Sequence, residues 1–532
     1  MKSPESSEQL PSGEQRSFTD RLAARLPLLL AIIILLAFWP LLRGEFLAWD
    51  DKEAVARNLW LNPPSLQHFA EFWDPRRPFM DIWIPLTYSV WSGVAAISYV
   101  PTPDIDTGTH LNPWFFHGTN LAVHLLSALT VLAILRRLTG RPWPAFFGAL
   151  IFALHPVQVE SVGWISGLKD VLAGCLGLVA IWQYLVFTLG SGERDRSGMW
   201  VPYLAATAAF IAAMLAKPSA VAVPLVIIAL DYLLIGRPIK KIMLAAAPWL
   251  VLALPIIWAG KHAQPAAEAF VPTLTQRPLI AADALAFYLY KLFLPLRLGI
   301  VYDHTPQAVL ARSWVYFEWI VPAIALASGI ALRRRAPWLV AAIAVFWLAT
   351  APVLGLIPFD FQQYSTVADH YLYLAMLGPA LAAAYLARQM PSTRAPLAVV
   401  AVALATISFV QTWVWQDTFS LFRHSIAVNP NACGLYNNLG EAYRVAGQTD
   451  EAMRIFDEGL AHSPHCVVLH ITRASLLANL GRIDDAEREL RLAQPDATGR
   501  LAEFVKIGFS RLAEARRQAR PSPTSRPSTL PS

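Results

Sequence analysis

The sequence predicts an all-α protein, a polytopic membrane core of about eleven spans followed by a C-terminal α-solenoid. Three observations carry that expectation: an apolar composition, a series of membrane-length apolar runs, and an internal repeat near the C-terminus. Hydrophobic residues make up 55% of the 532 and charged residues only 15%, which excludes one or two ordinary soluble domains. Forty prolines and nineteen tryptophans fit the same class, because membrane helices tolerate Pro and Trp collects at membrane interfaces. The net charge of +6 then reads as a topology signal, and no nucleic-acid partner is expected. Cys175, Cys433 and Cys466 show no CxxC spacing, so they form neither a disulfide framework nor a zinc site.

The elements follow in order. Residues 1–21 are polar and predicted to be a disordered cytoplasmic N-terminus. The run 22–42 has no small-residue cleavage site after it and reads as an uncleaved signal anchor. Further spans are expected at 114–135, 143–154, 171–189, 200–215, 220–235, 242–260, 315–332, 338–357, 371–387 and 397–415, which closes a membrane domain over 22–415. Lys and Arg collect in every second connection: Arg21 and Arg25, Arg136 to Arg141, Arg194 and Arg196, Arg237 to Lys241, Arg333 to Arg335, and Arg388 to Arg394. Those connections are assigned to the cytoplasm. Asp50 and Asp51, the 155–170 loop, the 261–278 loop, the 358–370 loop and everything after Trp415 then face the extracytoplasmic side. Two more apolar stretches, 82–99 and 279–302, are laid on the outer interface, because counting both as crossings contradicts the arginine pattern. The second carries Lys291 and Arg297 among tyrosines, which suits an interfacial helix. Two extra spans are the alternative. The expected location is the inner, cytoplasmic membrane.

After Trp415 the pattern changes. Pro430 and Pro464, Gly447 and Gly481, Asp450 and Asp484, and Ala452 and Ala486 are each 34 residues apart, the tetratricopeptide (TPR) period. Tyr436, Leu439, Gly440, Tyr443, Ala452, Phe456 and Pro464 stand at the offsets of one repeat, and Ala474, Leu477, Gly481, Ala486 and Leu490 at those of a second. Residues 416–495 are predicted to form this solenoid, and 496–532 a terminal helix and a disordered Pro/Ser-rich tail. Cys433 and Cys466 are expected to stay unpaired, since neighbouring TPR helices often hold such positions too far apart.

Charged residues at the outer ends of apolar runs are the candidates for chemistry. Phe46 to Asp51, Ile84 to Thr87, His117 to His124, His155 to Ser166, Lys169 to Leu172, Ala216 to Pro218 and Asp369 to Leu374 appear in an order and spelling that resembles the transmembrane and TPR-containing O-mannosyltransferases and their bacterial relatives in the GT-C superfamily. The resemblance runs from Leu22 to about Gln494. It implies a GT-C-type membrane core that transfers a mannose-like sugar from a polyprenyl-phosphate donor to a protein Ser or Thr hydroxyl on the extracytoplasmic face. It maps the family's acidic pair onto Asp50 and Asp51. The TPR repeats would receive the protein or peptide acceptor.

The residues must also suit that chemistry on their own terms. A hydroxyl is a poor nucleophile, and a carboxylate that takes its proton lowers the barrier. One carboxylate suffices for a single inverting displacement, since a phosphate leaving group needs only positive charge to receive it. Asp50 is assigned as base and Asp51 as its support, because neighbouring side chains of an extended segment point apart; the sequence does not fix the order. Two solvated acids capping the helix that follows are the alternative. Glu160 is a third candidate acid, either an acceptor-orienting group, a base or half of an ion pair with Lys169. Lys169, Lys217, His155 and His370 are candidates for the donor phosphate, His370 standing where the family pattern more often has Arg. His124 is expected to be a buried helix contact and Asp231 to satisfy a neighbouring helix. No metal or other cofactor is expected, although acids beside Glu160 would also suit a divalent ion. A non-catalytic, membrane-anchored TPR scaffold, or a transferase acting on lipid or cell-surface glycan, are the alternative functions.

Overall fold

The computed structural model describes residues 21–104, 107–190, 200–264, 270–302 and 304–519. The N-terminal stretch to residue 20, Arg194 and Arg196, and the tail from residue 520 lie outside the described residues. Every regular element among those described is helical, and extended pairing is limited to isolated bridges between residues 61 and 111. The chain divides into two compact units. One holds the described residues up to Ile300 and His304–Asp417, and the other holds Val301, Tyr302 and the described residues from Thr418 onward.

Among the described residues of the first unit, seven helices are long and apolar enough to cross a membrane: Leu26–Arg43, Pro113–Thr139, Ile165–Leu189, Pro218–Ile235, Ile239–Ala263, Val315–Leu332 and Pro391–Val414. Three shorter apolar helices, Pro142–Leu154, Trp200–Ala216 and Pro337–Val353, complete the series. The expected count of about eleven is therefore met in full length by fewer. The run 371–387 does not form one helix: a 3₁₀ turn covers Asp369–Leu372 and an α-helix begins only at Leu377 and ends at Gln389. Pro379 falls in the first turn of that helix, where its missing N–H leaves no bond unmade. The stretches 82–99 and 279–302 contain the helices Pro85–Ser98 and Arg277–Phe293. Neither is among the helices of membrane length and composition.

The prolines have a local use. Pro85, Pro113, Pro142 and Pro337 occupy first turns, and Gly140 closes Pro113–Thr139 in the left-handed conformation with its N–H on the Arg136 carbonyl. Gly148 sets a close helix approach. A Cβ there would come 2.4 Å from the Ala380 carbonyl oxygen and 2.6 Å from Leu135 Cδ1, whereas one at Gly93 would meet nothing within 4 Å. Gly148→Ala is thus expected to cost about 1–3 kcal/mol by overpacking. Gly93→Ala should be neutral or slightly stabilising. Thermal midpoints of the two variants in detergent check this, and equal midpoints would refute it.

The connections sort into two ends. At one end, Arg137 Nε donates to the Leu185 carbonyl (3.2 Å) and Tyr385 Oη to the Leu138 carbonyl (3.2 Å). Buried Asp231 there accepts from Tyr184 Oη (2.6 Å) and Arg237 (2.9 Å), the neighbouring-helix role expected of it. At the other end the 44–51, 155–170, 277–293 and 365–370 segments are tied together through bonds described below.

The second unit is a helical solenoid: Thr418–Val428, Cys433–Val445, Thr449–His462, Val467–Asn479, Ile483–Ala493 and Gly499–Ala519. Gly447 (φ +74°) and Gly481 (φ +76°) make the equivalent turns of the two repeats, a left-handed conformation that glycine adopts without steric cost. Cys433 and Cys466 form a disulfide, against expectation, with Cα atoms 6.3 Å apart. Both stand where a helix begins, and there the approach of consecutive repeats is close enough for the bond. The bond spans a sequence separation of 33, so Cys433→Ser should cost this unit about 2–4 kcal/mol. Limited proteolysis of the full-length protein, comparing the variant with the oxidised parent, checks this; unchanged resistance would contradict it.

Candidate active site

Asp50 and Asp51 follow the first apolar helix and have opposite environments. Asp50 is exposed and holds φ +67°, a left-handed conformation that Asp and Asn tolerate better than other side chains but that still stores strain. Asp51 is fully buried. Its Oδ1 accepts from the Ser166 N–H (2.8 Å) and hydroxyl (2.7 Å), and its Oδ2 from the Leu47 N–H (3.3 Å). The two side chains diverge as expected but for a different reason, since a left-handed residue followed by a helical one replaces the extended segment. The capping alternative fails for Asp51, which makes no side-chain bond to the helical turn Lys52–Ala56. Burial pushes the Asp51 carboxyl up to about 7, against the pull of its donors from Ser166 and Leu47. Trp164 Nε1 donates to the Trp49 carbonyl (2.7 Å), so the 164–166 turn grips this loop on both sides of Asp50.

Glu160 lies on a short helix, Gln158–Gly163, and is buried. Both of its oxygens engage His370: Oε2 accepts from the His370 backbone N–H (3.0 Å) and Oε1 lies 2.9 Å from Nδ1. The ion pair with Lys169 is therefore not made. Trp164, Phe361 and Tyr371 surround the His370 ring at centroid distances of 5.7, 6.0 and 4.4 Å.

Lys169 and Asp170 open the helix Leu168–Leu189. The Lys169 ammonium lies over the Trp164 ring, 4.2 Å from its centroid, and Trp164 in turn donates to the Asp50 loop at the Trp49 carbonyl. Asp170 is buried and pairs through Oδ1 with Lys217 Nζ at 2.5 Å. His370 lines the same cavity as this pair. Lys217 in turn lies 5.3 Å from the Tyr371 ring centroid. Asp50, Lys169, Asp170, Lys217, His370 and Glu160 thus form one constellation, with Asp51 fixing its edge. No three His, Cys, Asp or Glu side chains converge as a metal set among the described residues.

His155 stands apart from the constellation. It is buried, Nε2 faces the Leu292 carbonyl (3.0 Å) and Nδ1 accepts the Val157 N–H (3.4 Å). Burial lowers it to about 4, so it is neutral and has no N–H to offer a phosphate. Its expected phosphate role is replaced by a tie between the 155–157 turn and the end of Arg277–Phe293. His124 is the buried helix contact that was expected, bonded to Tyr373 Oη (2.9 Å) and the Ala153 carbonyl (3.1 Å). Asp170, Trp164 and Tyr371 were missed as site residues. Their signal was present in the Lys169-Asp170 step at the start of an apolar helix and in the aromatics flanking each charged position.

Fold and site together define a helical protein with several membrane-length apolar helices, a charged constellation at one end of their bundle, and a TPR unit. Residues 418–505 match the tetratricopeptide repeat family. Over a longer stretch the chain is similar to protein O-mannosyl-transferase TMTC3 of Homo sapiens, 21% identical over 433 residues that cover 73% of this chain and 46% of the relative. With TMTC4 of Mus musculus it shares 22% identity over 512 residues, 81% of this chain and 65% of the relative. A region of 149 residues is 32% identical to TMTC1 of Mus musculus, covering 27% of this chain and 15% of that protein. The homologues are thus TMTC proteins named as O-mannosyl-transferases, and this chain spans less than two thirds of the length of each of these three relatives.

Proposed function

We propose that this protein transfers a mannose-like hexose from a polyprenyl-phosphate donor to a Ser or Thr hydroxyl of a protein, on the extracytoplasmic side of the inner membrane. The observation that carries this reading is the exposed, left-handed Asp50 on a loop bonded through Trp49 and Asp51 to the 164–166 turn, where the Lys169 ammonium lies over the Trp164 ring, together with the Asp170–Lys217 pair and His370 that line one cavity. Asp50 takes the proton of the acceptor hydroxyl as its oxygen attacks the anomeric carbon. The bond from that carbon to the phosphate oxygen breaks, its electron pair leaves with the phosphate, and the configuration inverts. Lys169, Lys217 and His370 receive the developing charge. Asp51 is a positioning residue for the Asp50 loop, and Glu160 one for His370.

The names of the TMTC relatives support a protein acceptor and a mannose-like sugar. The Cys433–Cys466 disulfide supports an oxidising compartment for the TPR unit, where the repeats would hold an extended acceptor peptide. The clustering of Arg21 and Arg25 before the first apolar helix supports a cytoplasmic N-terminus.

Purified protein in liposomes, given radiolabelled polyprenyl-phosphate hexoses and a Ser/Thr-rich peptide, tests the reading. Transfer to the peptide is expected from at least one hexose, and transfer from none overturns it. The reaction should survive chelation by EDTA. Activity lost on chelation and restored by manganese or magnesium would contradict the metal-independent mechanism.

A further inference from the structure

Beneath the constellation lies a cavity of about 40 Å³, lined by Asp170, Lys217, Ser219, His370 and Tyr371 among others. It has room for a few water molecules or one hydroxyl-bearing substituent. Asp170 is its conspicuous member. Oδ1 is committed to Lys217, while Oδ2 is buried without a hydrogen-bond partner, and the residue is 7% exposed. An ionised carboxylate only accepts hydrogen bonds, and a buried acceptor left unmatched is costly. A ligand group entering here must therefore bring a donor. A phosphate oxygen cannot, and it would face a negative neighbour.

Lys169 and Asp170 are consecutive on a helix, so their side chains diverge by about 100°. Lys169 lies over Trp164, whereas Asp170 turns to Lys217 and the cavity. We infer that Asp170 is a specificity-determining residue whose Oδ2 accepts one hydroxyl of the donor hexose in this cavity, while the donor phosphate lies on the ammonium groups. This rests on the transfer reaction proposed above.

A series of polyprenyl-phosphate donors, each with one sugar hydroxyl replaced by hydrogen, tests it in liposomes. For the parent protein, one deoxy donor should lose about 10- to 100-fold in kcat/KM relative to the intact sugar, the range of a hydrogen bond to a charged group. In Asp170→Asn that particular discrimination should shrink to about threefold, with the ranking of the other deoxy donors unchanged. Lys217→Met separates recognition from support of the lysine, since it should slow all donors while preserving the discrimination. A uniform loss for every donor in Asp170→Asn, or the same flattening in Lys217→Met, would overturn the inference and leave Asp170 as a partner of Lys217 with water in the cavity. Deoxy donors all used equally by the parent would also overturn it. No transfer from any intact hexose would instead defeat the proposed reaction itself.

Discussion

Asp50→Asn is expected to lower the transfer rate by about 10²- to 10⁴-fold, the range of a lost general base. The substitution isolates chemistry from folding. Asn accepts the left-handed conformation that φ +67° imposes at this position, and the side chain is exposed, so no buried contact is lost. Asp50→Gly supplies a second comparison, with the conformation relaxed and the carboxylate absent. Asp50→Ala would mix both effects. With the phosphate assigned by the proposal to Lys169, Lys217 and His370, the donor KM should change by no more than about threefold while kcat falls. Single-turnover assays at saturating donor separate the two. A folded Asp50→Asn protein with the parent's kcat would remove Asp50 from the base role.

Asp51→Ala should have the largest effect on stability, about 3 kcal/mol or more. It strands the buried Ser166 and Leu47 donors and empties the volume between the first outer loop and the 164–166 turn. The same residue gives a pH signature. Its carboxyl is raised from 3.8 to about 7 by burial, so the folded state holds this proton more tightly than the unfolded chain does. The contribution is complete below about pH 3.8 and is lost as pH rises toward and through about 7. It reaches at most about 4 kcal/mol. The thermal midpoint of the parent in detergent should therefore fall between about pH 5 and 8 more steeply than that of Asp51→Asn, which has no proton to lose. Parallel pH profiles for the two proteins would refute that account of Asp51.

The features legible in the sequence are those set by local pattern. Apolar runs gave most of the helices, the 34-residue spacing gave the glycine turns at Gly447 and Gly481, and the isolation of charges in apolar surroundings pointed to Asp50, Asp51, Glu160, Lys169 and Lys217. What was not legible depends on contacts far apart in the chain. Glu160 meets His370 across 210 residues, and nothing in the spelling of either segment states that both carboxylate oxygens are used there. His155 looked like its charged neighbours, but the Leu292 carbonyl that consumes its N–H lies 137 residues away. The 371–387 run had helical composition throughout. Tyr373 packs where a Cβ on Gly174 would sit, 2.4 Å from its ring, and Glu160 takes the His370 N–H, so tertiary contacts accompany a 3₁₀ turn where periodicity alone favoured a helix. The disulfide required knowing that two helix starts approach one another, which a repeat spacing does not reveal.

The central claim is that the membrane unit is a protein hexosyltransferase using Asp50. Mass spectrometry of extracytoplasmic glycopeptides tests it most directly, in cells that carry the parent protein, no copy, or Asp50→Asn at matched membrane levels. A set of Ser/Thr-hexosylated peptides present with the parent and absent in both other strains is the predicted result. The same glycopeptides in all three strains would contradict the claim.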